Sequence, residues 1–137
     1  MHFLIVDDSK ISITIIEKHL DNVVVDQVHH AENGEQALEI YKGLREKNVE
    51  DLLIFMDINL PKMNGIETIK KIREIEKLEK VEMNARAKIL VVTAYDTASA
   101  EHLSLVVGAN GYIRKPLLKD NLLEAINSIN LELQFKD

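Results

Sequence analysis

Two adjacent carboxylates, Asp7 and Asp8, directly follow a run of bulky apolar residues, and Asp57, Thr93 and Lys115 follow three later runs. If the fold brings them together, three carboxylates within ~5 Å repel one another by about 3 kcal/mol per pair at an effective dielectric constant of 20. A cation must therefore accompany them. Mg²⁺ accepts carboxylate and water oxygens, and Lys115 supplies a further positive charge. We expect Asp7 and Asp8 to hold this metal beside Asp57.

A carboxylate, a divalent metal, a lysine and a hydroxyl in one pocket form a site that can move phosphoryl groups. The metal and Lys115 neutralise charge on the phosphoryl oxygens, and the Thr93 hydroxyl donates a hydrogen bond. One carboxylate attacks phosphorus to form an acyl phosphate. We choose Asp57 as this nucleophile, because Asp7 and Asp8 are needed for the metal and share a turn that is poorly suited to in-line attack. An ordinary hydrogen-bonding role in a loop stays open for Thr93.

Apolar runs of strand length alternate along the chain with longer segments of helical periodicity, which predicts five βα units. The alternation implies an α/β fold in which a doubly wound, five-stranded parallel sheet carries helices on both faces. Ligands in such folds bind at the carboxyl ends of the strands, where the polar residues named above occur. The predicted strands are rich in Val, Ile and Leu, and they span residues 2–6, 23–28, 52–56, 89–92 and 111–113.

The first three helices are predicted from their capping residues. Ser9 can cap the first, and Asn33 with Gln36 three residues later resembles a capping box for the second. The third spans about residues 64–77 and turns the isoleucines at positions 66, 69, 72 and 75 toward the sheet. The charged run 70–80 is interpreted as a solvated face.

The last two helices are predicted from their apolar residues. The fourth begins near Asp96 or Thr97 and ends at Gly108, because glycine suits the left-handed position that terminates helices. The fifth closes the chain. Their apolar sides are predicted to contain Leu103, Val106 and Val107 in the fourth helix, and Leu122, Leu123, Ile126, Ile129 and Leu133 in the fifth.

Composition narrows the class of protein. The chain has 137 residues, a length that suits one compact domain, and 46% of them are hydrophobic. A net charge of −6 argues against direct binding of nucleic acid. The absence of cysteine excludes disulfides, cysteine-based zinc sites and thiol catalysis. No apolar run reaches the ~20 residues of a membrane span and no signal peptide is recognisable, so the cytoplasm is the expected location.

Four motifs occur in order at the predicted strand ends: "FLIVDDS", "FMDINLPKMNG", "LVVTA" and "GYIRKP". With them the chain resembles the receiver domain of two-component response regulators, and its length is similar to that of the stand-alone members of the chemotaxis type. The resemblance covers nearly the whole chain, so a single receiver domain is expected over residues 1–137. It implies the flavodoxin-like strand order 2-1-3-4-5, for which the chemotaxis member is a standard example.

The resemblance assigns roles to individual residues. It implies that Asp57 takes a phosphoryl group from a phosphohistidine on a histidine kinase or a histidine phosphotransfer protein. Asp8 and Asp57 would contact Mg²⁺ directly and Asp7 largely through water, while Asn59 would offer its backbone carbonyl. Asn59 and Tyr95 occupy positions that tune how fast the acyl phosphate hydrolyses, and the bulk of Tyr95 favours a long-lived phosphoform.

The resemblance also implies a two-state switch. Thr93 would swing toward the phosphoryl group, and Tyr112 would rotate inward to fill the space. A downstream protein would read the fourth helix, fifth strand and fifth helix, and the chain would be a monomer or a phosphorylation-dependent dimer. The bond between Lys115 and Pro116 resembles the family's cis peptide. A plain strand-end role stays open for Tyr112.

Two other functions are compatible with parts of the pattern. Haloacid-dehalogenase-like phosphatases also use an aspartyl phosphate, a lysine, a threonine and Mg²⁺, but their nucleophile follows the first strand in an Asp-x-Asp pattern. Here the sequence reads Asp7, Asp8, Ser9, and a cap domain is missing. The other alternative is a receiver used as an unphosphorylated scaffold, which the complete set of acidic residues, threonine and lysine disfavours.

Overall fold

The βα repeats fold into one parallel sheet with helices on both faces. The computed structural model describes residues 1–94 and 98–137. The strand order β2-β1-β3-β4-β5, with every neighbouring pair parallel, confirms the predicted topology. In chain order the elements are β1 (His2–Val6), α1 (Lys10–His19), β2 (Gln27–Ala31), α2 (Gly34–Glu46), β3 (Leu52–Met56), α3 (Gly65–Leu78), a 3₁₀ turn (Met83–Ala85), β4 (Lys88–Thr93), α4 (Ala98–Val106), β5 (Gly111–Arg114) and α5 (Lys119–Ser128).

The sheet separates two apolar cores. Successive side chains of a strand point to opposite faces, so Leu4 and Val6 of β1 enter one core while Phe3 and Ile5 enter the other. Helices α2 and α3 cover the first core, and α1 and α5 cover the second. Every residue of β3 is buried, which explains its continuous apolar sequence. Among the described residues, no helix has the length and apolarity needed to cross a membrane.

The predicted helix caps are present. The Ser9 hydroxyl accepts a hydrogen bond from the Ser12 amide (3.3 Å), and the Asn33 side chain accepts one from the Gln36 amide (2.8 Å). The Gln36 side chain in turn accepts from the backbone N–H of Glu32 (2.7 Å), one residue earlier than in a standard capping box. These caps satisfy N–H groups that have no partner within the helix.

The predicted limits of the second strand are wrong. Residues 23–28 were expected to form it, whereas β2 spans Gln27–Ala31. Val23 instead forms an isolated antiparallel bridge with Phe135, and the neighbouring Val24 amide donates to the carbonyl of Gln134 (2.7 Å). The first two valines of the predicted strand thus pair with Phe135 and Gln134. The true strand lies at the edge of the sheet, where a less apolar sequence is tolerated.

The predicted sheet-facing side of the fourth helix is wrong for two of three residues. Leu103 and Val106 are 48% and 65% exposed, and only Val107 packs against the core. The small side chains of Ala100 and Ser104 face the sheet instead. Helix α4 is apolar around most of its circumference, so periodicity alone did not identify its inner side.

The fifth helix is shorter than the predicted stripe. It ends at Ser128, and Asn130 has a left-handed φ of 60° just beyond it. Leu131 and Leu133, in the following segment, still pack against the α1/α5 core. The apolar stripe was real, but its last two residues, Ile129 and Leu133, lie beyond the end of the helix.

The interpretation of residues 70–80 as a wholly solvated face is wrong at Arg73 and Glu76. Glu76 is only 1% exposed, and its carboxylate receives hydrogen bonds from Arg73 Nη1 (2.6 Å) and from the Tyr41 hydroxyl (3.0 Å). Position 76 lies four residues after Ile72, on the inner side of α3, and its partners compensate the cost of burying a charge. The other charged residues of this run are exposed or half-buried.

Close packing of α2 on α3 predicts opposite effects for two glycine substitutions in α2. An added Cβ at Gly34 would lie 2.2 Å from Thr68 Oγ1 and 2.3 Å from the Met63 carbonyl oxygen, whereas one at Gly43 would meet nothing within 4 Å. We expect Gly34→Ala to lower the free energy of unfolding by about 2 kcal/mol through overpacking. Gly43→Ala should raise it by about 0.8 kcal/mol through helix propensity. Urea denaturation measures both, and a neutral Gly34→Ala would contradict the close contact.

Candidate phosphoryl-transfer site

The adjacency of β1 and β3 brings the two inner carboxylates together. Val6 pairs with Met56 in the register, so the next residues, Asp7 and Asp57, leave neighbouring strands side by side. The Asp57 amide continues the ladder by donating to the Val6 carbonyl (3.0 Å). Oxygen atoms of Asp7, Asp8 and Asp57 lie within 4.8 Å of one another. Asp7 is 2% and Asp57 7% exposed, whereas Asp8 faces solvent.

Lys115 bridges the two buried carboxylates. Its ammonium nitrogen lies 2.7 Å from Asp7 Oδ2 and 3.3 Å from Asp57 Oδ2. The Lys115 amide donates to the Thr93 carbonyl (2.8 Å), which fixes the lysine backbone to the end of β4. The peptide bond between Lys115 and Pro116 is cis, as the resemblance implied. Strands β1, β3, β4 and β5 thus all contribute to the arrangement.

The protonation preferences at this edge reflect burial and charge. Burial raises the pKa of the Asp7 carboxyl, although its hydrogen bonds from Lys115 and from the Ser9 amide oppose this. Burial would lower the pKa of the Lys115 ammonium, but the hydrogen bond to Asp7 and the charge of Asp57 outweigh it, so this pKa is raised. The carboxylates therefore hold Lys115 in its charged form. One ammonium does not fully compensate the desolvation of Asp7.

Backbone N–H groups orient the two inner carboxylates. The Ser9 amide donates to Asp7 Oδ1 (2.9 Å), and the Asn59 amide donates to Asp57 Oδ1 (3.1 Å). Each bond joins residues i and i+2, the pattern of an Asx turn, and it leaves the Oδ2 atoms on Lys115. Sequence reasoning did not assign this role to either amide. The signal lay in the aspartates themselves, because Asp side chains in turns often accept a hydrogen bond from the backbone two residues later.

The turn after Asp57 passes very close to the strand end. The Gly65 amide donates to the Ile58 carbonyl (2.9 Å), and a Cβ at Gly65 would lie 2.1 Å from the Asp57 carbonyl oxygen. Only glycine fits this approach without displacing the backbone of Asp57. The Asn64 side chain caps α3 directly before it by accepting from the Glu67 amide (2.9 Å). This turn therefore fixes the strand end that carries Asp57.

Thr93 and Tyr112 lie on one face of the sheet. Thr93 ends β4 and is fully buried. Tyr112 pairs with Val91, two residues before Thr93, so alternation places both side chains on the face of the α2/α3 core. Tyr112 is half-buried, and burial together with the charge of Glu101 raises the pKa of its hydroxyl. Tyr95 lies outside the described residues.

The donor set of Asp7, Asp8 and Asp57 suits a hard divalent cation. All three residues offer carboxylate oxygens, which Mg²⁺ prefers, and the exposed Asp8 leaves the cluster accessible to water ligands. A cation close to the desolvated Asp7 carboxyl would stabilise its ionised form. The side chain of Asn59 is exposed, while its amide is used to hold Asp57. Coordination by the Asn59 carbonyl stays a prediction.

Comparison with known proteins agrees with this geometry. The family model of the response regulator receiver domain matches residues 3–127. Chemotaxis protein CheY of Bacillus subtilis is 36% identical over 124 residues, which cover 90% of this chain and 92% of that protein. Members of this family are signalling proteins and not metabolic enzymes, so the haloacid-dehalogenase-like alternative is set aside.

Two solved receiver domains share this fold and are 28% and 31% identical in sequence to the chain. The receiver domain of the histidine kinase CKI1 from Arabidopsis thaliana, complexed with Mg²⁺ and BeF₃⁻, has a TM-score of 0.76 at 28% identity, covering 94% of this chain and 89% of that one. The Saccharomyces cerevisiae receiver domain of Ssk1, in complex with the histidine phosphotransfer protein Ypd1, has a TM-score of 0.76 at 31% identity, covering 92% and 86%. Together with the acidic cluster and its lysine, these matches establish that the chain belongs to the family of response regulator receiver domains.

Proposed function

We propose that this protein is a phosphoacceptor of a two-component or phosphorelay system, in which Asp57 receives a phosphoryl group and thereby changes a partner-binding surface. The observation that carries the proposal is the ammonium of Lys115 held between the buried carboxylates of Asp7 and Asp57, beside the exposed Asp8. A purely structural ion pair needs one carboxylate for one ammonium. The two additional acidic groups at this edge suit a cation and a phosphoryl group.

The reaction follows from the positions of these groups. A carboxylate oxygen of Asp57 attacks phosphorus as the P–N bond to the donor imidazole breaks, and the product is an acyl phosphate. Lys115 already lies within hydrogen-bond reach of Asp57 and stabilises negative charge on the transferred oxygens. The Asn59 amide keeps the nucleophile oriented by holding Asp57 Oδ1. The Thr93 hydroxyl, at the end of the adjoining strand, is assigned to a phosphoryl oxygen.

Mg²⁺ is the proposed cofactor. Asp8 and Asp57 would contact it directly, Asp7 mainly through water, and Asn59 through its carbonyl. When bound, it supplies charge neutralisation for the phosphoryl oxygens. Asp7 also holds Lys115 and the Ser9 amide, so its proposed role is to organise the site.

The proposed switch links Thr93 and Tyr112 to the partner surface. Phosphorylation adds nearly two negative charges and three hydrogen-bond acceptors, which shift an existing equilibrium between two conformations. Movement of Thr93 toward the phosphoryl group would allow Tyr112 to rotate inward on the same face of the sheet. The neighbouring surface of α4, β5 and α5 would then bind a downstream protein. Exposed Leu103, Leu105 and Val106 on α4 supply apolar contact area there.

The proposed phosphodonor is a histidine kinase or a histidine phosphotransfer protein, in keeping with the complex of the yeast relative. We place the protein in the cytoplasm, as a single receiver domain over residues 1–137, without direct contact with nucleic acid. It would act as a monomer or as a phosphorylation-dependent dimer.

Incubation with acetyl phosphate and Mg²⁺ tests the phosphoacceptor role directly. We expect the intact mass to rise by one phosphoryl group in the wild type, because Asp57 is the nucleophile. Asp57→Asn and an EDTA-treated sample should show no gain. Absence of a gain in the wild type would favour the unphosphorylated scaffold, and a full gain in Asp57→Asn would disprove the choice of nucleophile.

Mg²⁺ binding should stabilise the fold. At ten times its dissociation constant, a ligand that binds only the native state raises the free energy of unfolding by about 1.4 kcal/mol. We expect this increment in the wild type and its loss at the same Mg²⁺ concentration in Asp8→Asn, because Asp8 is a proposed direct ligand of the metal. Asp8 is exposed, so its replacement should leave the core intact. Urea denaturation with and without EDTA measures the increment. Asp21→Asn, another exposed aspartate, is the control, and equal increments in both variants would refute the ligand role.

Tyr95, two residues after Thr93, is proposed to shade the acyl phosphate from water, and Asn59 to act with it in setting the lifetime. We expect Tyr95→Ala to shorten the half-life of the phosphoform severalfold, while Tyr95→Phe, which keeps the bulk of the ring, should leave it nearly unchanged. The decay of the phosphorylated mass after removal of acetyl phosphate gives the half-life. A wild-type half-life of seconds without a phosphatase would contradict the proposal.

A further inference from the structure

The guanidinium of Arg73, on α3, joins several elements at the end of the sheet opposite to Asp57. Its Nε donates to the Gly108 carbonyl (3.0 Å), directly after α4, and its Nη2 donates to the Asn110 side chain (3.0 Å). Its Nη1 donates to the Ala87 carbonyl (2.8 Å), ahead of β4, and to the Glu76 carboxylate (2.6 Å). We call Arg73 and these four partners the Arg73 clamp.

The clamp is anchored in the protein interior. The second oxygen of the buried Glu76 accepts hydrogen bonds from the Tyr41 hydroxyl (3.0 Å) and from the Ala87 amide (2.8 Å). The Asn110 side chain also accepts from the Ile89 amide (2.7 Å). Among the described residues, no buried side-chain nitrogen or oxygen lacks a hydrogen-bond partner. Helices α2 and α3, strand β4 and the segment after α4 are therefore held in one fixed arrangement.

Gly108 permits the close approach of this segment to Arg73. Its φ is +119°, and a Cβ there would lie 2.7 Å from Arg73 Cγ. The Ala109 amide donates to the Ser104 carbonyl (2.9 Å) and the Gly108 amide to the Leu105 carbonyl (3.1 Å), bonds that close the last turn of α4. The end of the helix is thus both internally satisfied and bound from outside by Arg73.

The remainder of α4 is attached more weakly. Only Ser104 is buried within the helix, and its hydroxyl donates to the Ala100 carbonyl of the same helix (2.7 Å). At the amino end of the helix, Ala98, Ser99, Glu101 and His102 are exposed and Ala100 is half-buried. Small inward side chains bury little apolar area, and apolar burial is what normally holds a helix on a sheet. The two ends of α4 therefore differ in how firmly they are held.

We propose that Arg73 is a positioning residue that fixes the carboxyl end of α4, so that the helix responds to phosphorylation by moving its amino end about this point. The movement rests on the proposed function, since it begins at the phosphorylated Asp57. The amino end of α4 follows β4, whose end carries Thr93, while the carboxyl end is tied to α3 through Gly108. The Arg73 clamp thus confines the change in the partner surface to the amino end of α4 and keeps its carboxyl end in place.

Amide hydrogen exchange in the unphosphorylated protein tests the attachment. Arg73→Lys keeps the charge beside Glu76 but cannot form the fork that reaches Gly108, Ala87 and Asn110 together. We expect the amides of residues 107–109 to exchange at least tenfold faster, with α3 and the strands unchanged. The matched control is Arg45→Lys, which alters an exposed pair with Glu79 between α2 and α3 and should leave residues 107–109 unchanged. Equal exchange at 107–109 in both variants would overturn the proposal.

A second variant guards against failure of Arg73→Lys to fold. Asn110→Ser shortens one arm of the clamp and leaves the bonds of Arg73 to Glu76, Ala87 and Gly108 in place. We expect a smaller acceleration at the same amides, threefold or more. No acceleration at residues 107–109 in this variant would also overturn the proposal.

The same measurement after phosphorylation tests the movement. In the wild type with acetyl phosphate and Mg²⁺, exchange should change at residues 98–102 by at least threefold and stay within experimental error at 107–109. In Arg73→Lys the change should extend to 107–109, with the same gain of phosphoryl mass. Equal responses of the two proteins at equal phosphorylation would overturn the positioning role alone. Absence of a mass gain in the wild type would overturn the proposed function and the movement together.

Discussion

The burial of two like-charged carboxylates on neighbouring strands is the constraint on which the rest of this structure depends. Asp7 and Asp57 leave β1 and β3 side by side because these strands pair in register. Uncompensated charges of this kind are expensive to remove from water. Lys115 compensates them only if β5 ends nearby, and its amide is fixed to the end of β4 by the Thr93 carbonyl. The parallel order of the central strands is therefore what makes the acidic site possible.

The formal charges show why this edge of the sheet is suited to chemistry. Three carboxylates and one ammonium leave a charge of −2, which a single divalent cation neutralises. At the opposite end, the buried Glu76 carboxylate is matched by one guanidinium and is fully hydrogen-bonded. The first cluster retains a capacity for a further cation and the second does not. The acidic cluster at one end of the sheet can thus bind a cation, whereas the polar groups around Glu76 at the other end hold the surrounding elements together.

The sequence allowed the fold and the members of the site to be predicted because topology determines both. Residues that follow the strands of a parallel sheet lie at the same end of that sheet, so Asp7, Asp57 and Lys115 could be grouped without knowing any distance. The pattern failed where an apolar residue had more than one way to be buried. Val23 and Val24 pair with Phe135 and Gln134 instead of forming β2, and α4 turns its small residues inward. Periodicity does not distinguish these outcomes.

The orientation of side chains within the site depended on backbone geometry that periodicity does not encode. The Ser9 and Asn59 amides determine which oxygen of Asp7 and of Asp57 remains for Lys115. Glu76 was misassigned for a related reason, since its burial depends on a tyrosine and a backbone amide distant in sequence. In both cases a charged side chain is positioned by hydrogen-bond partners that come close to it only in the folded chain.

Strand β4 connects the two polar clusters. It runs from Lys88, next to the Ala87 groups of the Arg73 clamp, to Thr93 beside Lys115, a distance of roughly 17 Å at 3.3 Å per residue. Five of its six residues are buried, and both its neighbours are paired along it, so the strand itself has little freedom to move. A change of charge at Asp57 is therefore more readily expressed in the side chains and helix next to the strand end. Helix α4, weakly packed along its length and firmly held at one end, is the element with that freedom.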